Sequence, residues 1–130
     1  MSDDNNLRTY KARVAVKEDW TASQLARKAQ VEKGVPVVAN MHKGSGDAAL
    51  IAWAKAKGLA VSIDRSTDWG NPFEIDADGT RDQVIEWYRE YFNHKRSLHE
   101  RLSELRGKVL ICWCHPQPCH GDFLRGQANE

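Results

Sequence analysis

The sequence has no excess of charge of either sign and no long apolar run. Its 130 residues include 19 Lys and Arg against 18 Asp and Glu, which gives a formal net charge of +1. This balance argues against a strongly basic nucleic-acid-binding protein, although local basic patches are compatible with it. No apolar run approaches the ~18 residues that a transmembrane helix needs. We therefore expect a protein without membrane contact.

The N-terminus also lacks the features of a targeting segment. Residues 1–7 are polar and acidic, whereas a signal peptide needs a basic start followed by an apolar stretch. We expect residues 1–8 to be a disordered lead-in and the protein to be cytoplasmic.

Cysteine is scarce, and its distribution is uneven. The chain has three cysteines, and all lie in the segment from Cys112 to Cys119. An odd number of clustered cysteines argues against a disulfide framework. Metal ligands, a reactive thiol and buried structural thiols are the alternatives that remain.

Repeats and low-complexity linkers are absent, and what the chain does contain is an alternation of helix and strand patterns. Capping residues Thr21, Asp47, Thr80 and Ser97 precede amphipathic stretches, and Gly34, Gly58 and Gly107 follow three of them. The patterns predict strands at 9–16, 35–39, 59–63 and 108–113. They predict helices at 22–33, 48–57 and 81–93, another from Ser97 to Gly107, and a short one from Cys119.

This alternation predicts a single α/β domain over residues 9–130. We expect a Rossmann-like architecture with a small, mainly parallel sheet flanked by helices. Segments 40–43, 64–73 and 114–122 each follow a predicted strand. Ligands bind beyond the carboxyl ends of parallel strands, so these segments are predicted to converge on one crevice.

The segment from Cys112 to Asp122 allows three interpretations. The first is a metal site, for which zinc is the natural ion because it prefers thiolate and imidazole ligands. The second is a metal-free active site in which Cys119, His120 or Asp122 is the catalytic group. The third is a set of packed thiols beside a proline-shaped turn. The candidate metal ligands are Cys112, Cys114, His115, Cys119 and His120.

The segment from Asp64 to Phe73 is the second candidate. Gly70 permits close backbone approach to a ligand, and Asn71 is held extended by the following proline. Trp69 offers a flat face for a base or sugar, and Arg65 suits a phosphate or carboxylate. The alternative is a structural turn with its aromatic side chains in the core.

His42 and Lys43 supply a third wall of the predicted crevice. They precede Gly44 in a glycine-containing loop that resembles a phosphate-binding loop but lacks the Walker A pattern. A flexible solvent-exposed loop is the competing interpretation.

Two motifs in this order resemble a known family. Trp-Gly-Asn-Pro-Phe at 69–73 and Cys-Trp-Cys-His-Pro-Gln-Pro-Cys-His-Gly-Asp at 112–122 are similar to the domain of unknown function 4326 family of bacteria and phages. The similarity covers roughly residues 60–126, with residues 37–43 as an extension. The resemblance implies a compact α/β domain and supplies no established reaction. It favours a common site over two separate turns.

We therefore predict a small enzyme that processes a nucleotide, nucleoside or modified base, as a transferase or hydrolase. Arg65 and the helix start at 119–122 would hold an anion, while Trp69 and Asn71 would orient a base or sugar. The alternative is a non-catalytic binding module, stabilised by a zinc site, whose partner is a nucleic acid or host protein. The sequence predicts no oligomeric state.

Overall fold

The computed structural model describes residues 20–42, 44–113 and 119–129 of the chain. The predicted lead-in at 1–8 and the predicted strand at 9–16 lie outside the described residues. The longest described helix has 13 residues, and no helix in these ranges is long and apolar enough to cross a membrane. The helices are α1 (Ala22–Glu32), α2 (Ala48–Ala56), α3 (Arg81–Asn93), α4 (Arg96–Glu100), a 3-10 helix (Leu102–Leu105) and α5 (His120–Ala128).

Three short strands form one parallel sheet in the described part of the chain. They are β1 (Val37–Asn40), β2 (Ala60–Ser62) and β3 (Val109–Cys112), arranged in the order β1-β3-β2. Val37 and Ala60 both pair with Val109, so the three strands start at the same edge and end together. The predicted α/β fold with a small parallel sheet flanked by helices is confirmed.

The central strand β3 is buried on both faces because helices cover each side of the sheet. Val109 and Ile111 pack into the cluster that includes Leu50 of α2, while Leu110 and Cys112 pack into the cluster that includes Leu124 of α5. This division follows from the period-two alternation of side chains along a strand. The continuous apolar sequence of β3 is typical of a strand covered on both faces.

The predicted start of α3 is confirmed in detail. The Thr80 side chain accepts the Gln83 N–H, and the Gln83 side chain accepts the Thr80 N–H, which completes a capping box. Asp47 precedes α2 as predicted, but its side chain does not cap that helix. Its carboxylate instead accepts hydrogen bonds from Arg27 at 2.6 Å and from the Asn40 N–H at 2.8 Å. The Asp47 carboxylate thus forms a buried ion pair with Arg27 and does not cap the N-terminus of α2.

The single helix predicted from a Ser97 cap to Gly107 is wrong at its start and in its interior. Lys95 precedes the helix without a side-chain cap, and Ser97 lies inside it. The chain forms α4, breaks at Arg101 and continues as a 3-10 helix. Arg101 reaches Asp68 at 3.2 Å and lies over the Trp69 ring, while Leu98 and Leu105 are both buried. Tertiary packing on the loop after β2 therefore overrides the regular helical pattern.

Candidate functional site

A cleft of about 360 Å³ lies beyond the carboxyl ends of β2 and β3. The loop after β2, the first turns of α3 and the two ends of the segment 112–120 form its walls. Topology predicts this placement, because parallel strands end at one edge of the sheet. The lining residues are Asp64, Arg65, Asn71, Phe73, Glu74, Ile75, Arg81, Val84, Ile85, Cys112, Trp113, Cys119 and His120.

Two side-chain hydrogen bonds tie the walls of the cleft together. His120 Nε2 lies 2.6 Å from the Ile63 carbonyl oxygen, which links the start of α5 to the end of β2. Trp113 donates from Nε1 to Asp64 Oδ2 at 3.3 Å, which links the residue after β3 to the residue after Ile63. The two loops that the sequence predicts to converge therefore meet.

Asp64 is the fixed negative charge of the cleft. The Ser66 hydroxyl and the Ser66 N–H both donate to its Oδ1, and Trp113 donates to its other oxygen. These donors favour the ionised form and lower the pKa of Asp64 to about 2. The group is a carboxylate at any neutral pH and cannot exchange protons efficiently there.

His120 places a buried imidazole in the cleft wall, at 9% exposure. Burial lowers the pKa of His120 below its usual 6.5, and nearby Arg65 lowers it further, against the opposing effect of the Ile63 hydrogen bond. The imidazole is therefore neutral at pH 7. Because a carbonyl oxygen only accepts, Nε2 carries the proton, and Nδ1 holds the free lone pair. Nδ1 receives no hydrogen bond from the described residues.

Three backbone donors at the start of α5 form hydrogen bonds within residues 119–122. The Cys119 N–H donates to Asp122 Oδ2 at 3.1 Å, and the Gly121 N–H donates to Cys119 Sγ at 3.3 Å. The Asp122 N–H donates to the Cys119 carbonyl at 3.1 Å. The predicted anion site at 119–122 does not fit this geometry, because the donors are used and a carboxylate lies beside them.

Asn71 and Gly70 build the loop after β2. The buried Asn71 side chain donates to the Val84 carbonyl at 3.0 Å and accepts the Phe73 N–H at 3.0 Å, which fixes the loop to α3. A Cβ at Gly70 would lie 2.5 Å from the Asp64 carbonyl oxygen. The absence of a side chain at Gly70 therefore allows the backbone at position 70 to pack directly against the backbone of Asp64. Arg65 donates to the Asn71 and Phe73 carbonyls. These residues shape the cleft wall more than they present free groups to a ligand.

Three other predicted site residues lie apart from the cleft surface. Trp69 is 2% exposed and packs in the core, with the Tyr88 hydroxyl donating to its carbonyl, so it offers no face to a ligand. Asp122 is exposed and caps α5 instead of lining the cleft. His42 follows β1 and does not line the cleft. Lys43 lies outside the described residues.

The cysteine segment satisfies part of a zinc site. Cys112 Sγ and Cys119 Sγ lie 3.7 Å apart. Two thiolates on one tetrahedral zinc lie roughly 3.8 Å apart, because each Zn–S bond is about 2.3 Å. Across the three described ranges, no group of three potential ligands is placed to hold a metal ion. Cys114 and His115 lie outside the described residues, so the zinc site stays a prediction.

Sequence reasoning missed Trp113 and Arg81 as cleft residues. Trp113 is 53% exposed and follows β3 directly, a position that topology already marks as a ligand-facing edge. Arg81 is the first residue of α3, and it lines the cleft together with Val84 and Ile85 of the same helix. The position of Trp113 directly after a predicted strand could have identified it as a cleft residue. Arg81 could not be identified in this way, because its place in the cleft depends on how α3 packs against the rest of the fold.

Comparison with known proteins gives one family. Residues 51–130 match the family described as Domain of unknown function (DUF4326), a range that includes every residue lining the cleft. The chain is also similar to the "Uncharacterized 12.4 kDa protein in nrdA-td intergenic region" of Enterobacteria phage T4. The two are 41% identical over 74 residues, which cover 54% of this chain and 68% of the phage protein. No solved structure matches the chain.

Proposed function

This chain belongs to the DUF4326 family, and we propose that it is an enzyme acting on a nucleoside or a modified base. The reaction would be a hydrolysis or a group transfer carried out in the cleft beyond β2 and β3. The observation that carries this proposal is the combination of an exposed indole, a fixed carboxylate and a neutral imidazole in one small cleft.

The size and position of the cleft favour one small organic ligand. Pockets for such ligands have volumes of about 300–1,000 Å³, and the cleft lies at the small end of that range with about 360 Å³. Its place at the carboxyl edge of a parallel sheet is where nucleotide-like ligands bind in open α/β folds. A nucleoside or a free base suits this volume better than a dinucleotide does.

Trp113 supplies the planar surface that base recognition requires. Its indole is 53% exposed, and the hydrogen bond to Asp64 restricts its rotation. Ile75, Val84 and Ile85 give the same cleft an apolar lining. Stacking of a base on an aromatic side chain contributes about 1–3 kcal/mol, which is enough to position a ligand of this size.

The charges of the cleft favour an uncharged ligand. Its described lining contains two guanidinium groups and two carboxylates, so their formal charges cancel, with His120 neutral. Arg65 also forms an ion pair with Glu74 at 3.3 Å. A phosphate dianion would enter without a net positive field to offset its desolvation. We therefore narrow the ligand to a nucleoside or a modified base.

His120 and Asp64 divide the polar chemistry between them. The neutral imidazole can take a proton through Nδ1, and its Nε2–H bond to Ile63 holds the ring in that tautomer. Asp64 remains ionised, so it can accept hydrogen bonds from ligand hydroxyl groups or stabilise positive charge that develops during reaction.

Isothermal titration calorimetry with a panel of nucleosides, their 5′-monophosphates and ribose 5-phosphate tests the proposal. We expect at least one nucleoside to bind more tightly than its monophosphate. Replacing Trp113 by alanine should weaken that binding by roughly 5- to 150-fold, the equivalent of one stacking contact. Trp53→Phe is the matched control, because Trp53 packs against Trp20 on the opposite face of the sheet.

His120→Gln separates binding from chemistry. The glutamine amide can donate to the Ile63 carbonyl in place of Nε2, but it lacks the basic lone pair of Nδ1. Product formation from the bound nucleoside, followed by liquid chromatography, should fall by roughly 10²- to 10⁴-fold while binding persists. Equal turnover in the variant, or binding of ribose 5-phosphate alone, would contradict the proposal.

A further inference from the structure

Two thiols meet at the inner end of the cleft. Cys112 ends β3 and Cys119 caps α5, and their sulfur atoms lie 3.7 Å apart although seven positions separate them in the chain. Both side chains are buried, at 2% and 4% exposure, yet both contribute to the cleft lining. The two residues therefore line the cleft although bulk solvent contacts each of them little.

The start of α5 fixes the position of the Cys119 sulfur. The Gly121 N–H at the start of the nine-residue helix α5 donates to that sulfur at 3.3 Å. This hydrogen bond holds the Cys119 side chain beside Cys112, 3.7 Å away. The neighbouring Cys112 sulfur is within reach as the resolving group.

We propose that Cys112 and Cys119 are an oxidation site that forms an intramolecular disulfide with a small hydroperoxide as oxidant. The Cys119 thiolate attacks one peroxide oxygen, an S–O bond forms, the O–O bond breaks and hydroxide leaves. The Cys112 thiolate then attacks the Cys119 sulfur, the S–S bond forms, and the S–O bond breaks with loss of a second hydroxide. Two thiols and one hydrogen peroxide thus give one disulfide and two waters.

Disulfide formation changes the position of groups in the cleft. A disulfide bond is about 2.05 Å long, so the sulfurs must approach each other by roughly 1.6 Å from their 3.7 Å separation. Cys119 is adjacent to His120, whose Nε2 is fixed on the Ile63 carbonyl. Oxidation therefore perturbs the group to which the proposed function assigns proton transfer, and this consequence alone rests on that function.

Mass spectrometry of hydrogen-peroxide-treated folded protein tests the oxidation site directly. The chain should lose two hydrogen masses, and dithiothreitol should restore them. After alkylation of the oxidised protein under denaturing conditions, fragmentation should place the single alkyl group on Cys114. This assignment uses the unaltered chain, so it holds even if a cysteine variant folds poorly.

Cysteine variants give the matched comparison. Cys114→Ser should still form the disulfide, whereas Cys112→Ser and Cys119→Ser should not. An alkyl group on Cys112 or Cys119 in the oxidised wild type, or oxidation of Cys119 to sulfinic acid without a disulfide, would overturn the proposal. So would one zinc per purified chain that protects these thiols until a chelator removes it.

A nucleoside titration of the oxidised protein distinguishes this inference from the proposed function. If the disulfide forms, we expect nucleoside binding to weaken several-fold in the wild type. Binding should be unchanged by peroxide in Cys119→Ser, which lacks the sulfur that attacks the peroxide. A disulfide without any nucleoside binding in either state would leave the oxidation site standing and contradict the proposed function.

Discussion

Gly121 lies where α5 packs closely against the sheet. A Cβ there would lie 2.8 Å from Ile63 Cδ1, 3.2 Å from Cys119 Sγ and 3.4 Å from Val38 Cγ1. Contacts this short require the helix or its neighbours to shift, because protein cores are close-packed. The glycine of the Cys-His-Gly-Asp motif is thus explained by packing at the inner end of the cleft.

Gly121→Ala should destabilise the fold by about 1–3 kcal/mol, the usual cost of overpacking a core. Urea denaturation followed by circular dichroism measures this change. Gly126→Ala in the same helix is the control, because no atom lies within 4 Å of a Cβ at that position. It should stabilise the chain by roughly 0.5–1 kcal/mol through helix propensity. Equal effects of the two substitutions would contradict the close packing of α5 on Ile63.

His120 makes the stability of the fold depend on pH. Burial lowers its folded-state pKa below the usual 6.5, so between these two values the unfolded chain binds more protons than the folded chain does. The stability that the neutral imidazole provides is therefore complete above pH 6.5. It is lost progressively as the pH falls through the lowered pKa.

The pH prediction is measured as the difference in unfolding free energy between wild type and His120→Gln. This difference should become less favourable to the wild type as the pH falls from about 7 to about 5, and it should be constant above pH 7. His94→Gln, at the exposed end of α3, is the control and should follow the wild type. A difference that grows toward low pH would mean that the folded state favours the charged imidazole.

At the residue scale, the sequence predicted neighbourhoods better than roles. The residue types in the two loops predicted the location of the cleft correctly, because the carboxyl ends of parallel strands lie at one edge of the sheet and bring the loops together. The role of Trp69 was not predictable, because an aromatic side chain next to glycine suits a core as well as a ligand site. The same holds for Asp122, whose carboxylate serves the local cap of α5.

At the scale of elements, the loop after β2 depends on its attachment to α3. Asn71 provides that attachment through both ends of its amide, to the Val84 carbonyl and from the Phe73 N–H. Its 8% exposure means that either partner would lose a hydrogen bond without ready replacement by water. The cleft wall and the helix are therefore expected to respond together when Asn71 is changed.

Asn71→Ala should destabilise the protein by about 1–3 kcal/mol, the usual cost of leaving a buried hydrogen-bonding group without its partner. Asn71→Asp should not restore stability, because it places an oxygen against the Val84 carbonyl. Thermal and urea denaturation measure both. Asn93→Ala, at the exposed end of α3, is the control and should change stability by less than about 0.5 kcal/mol. A neutral Asn71→Ala would mean that the amide is not needed to fix the loop.

Helix and strand positions were predictable wherever local signals agreed with tertiary packing. In the Thr80 capping box and in the apolar run of β3, the local sequence pattern agrees with the tertiary packing. The helix start and the strand are found as predicted. The break at Arg101 was not predictable, since it depends on Asp68 and Trp69, more than thirty residues earlier. The prediction that Asp47 caps α2 fails for the same kind of reason. Its partner Arg27 lies on another helix, so the ion pair depends on tertiary packing.

For the whole molecule, strand order explains why two distant segments form one cleft. β3 lies between β1 and β2, so the residues after β3 emerge beside the residues after β2. The Trp113–Asp64 and His120–Ile63 hydrogen bonds then join segments separated by 49 and 57 positions. Parallel pairing was predictable from the alternation of elements, whereas the order of the strands was not, because each strand is short and apolar.

The central claim is that this cleft binds a nucleoside or modified base, and NMR titration of the ¹⁵N-labelled chain tests it most directly. We predict that the nucleoside selected by calorimetry shifts the backbone amides of residues 64–75, 81–85, 112–113 and 119–120, and the Trp113 indole N–H above all. The Trp53 indole N–H, which packs against Trp20 on the opposite face of the sheet, is the internal reference and should not respond. A shift at Trp53 without shifts in the cleft, or a Trp113 indole signal unchanged at saturation, would contradict this prediction.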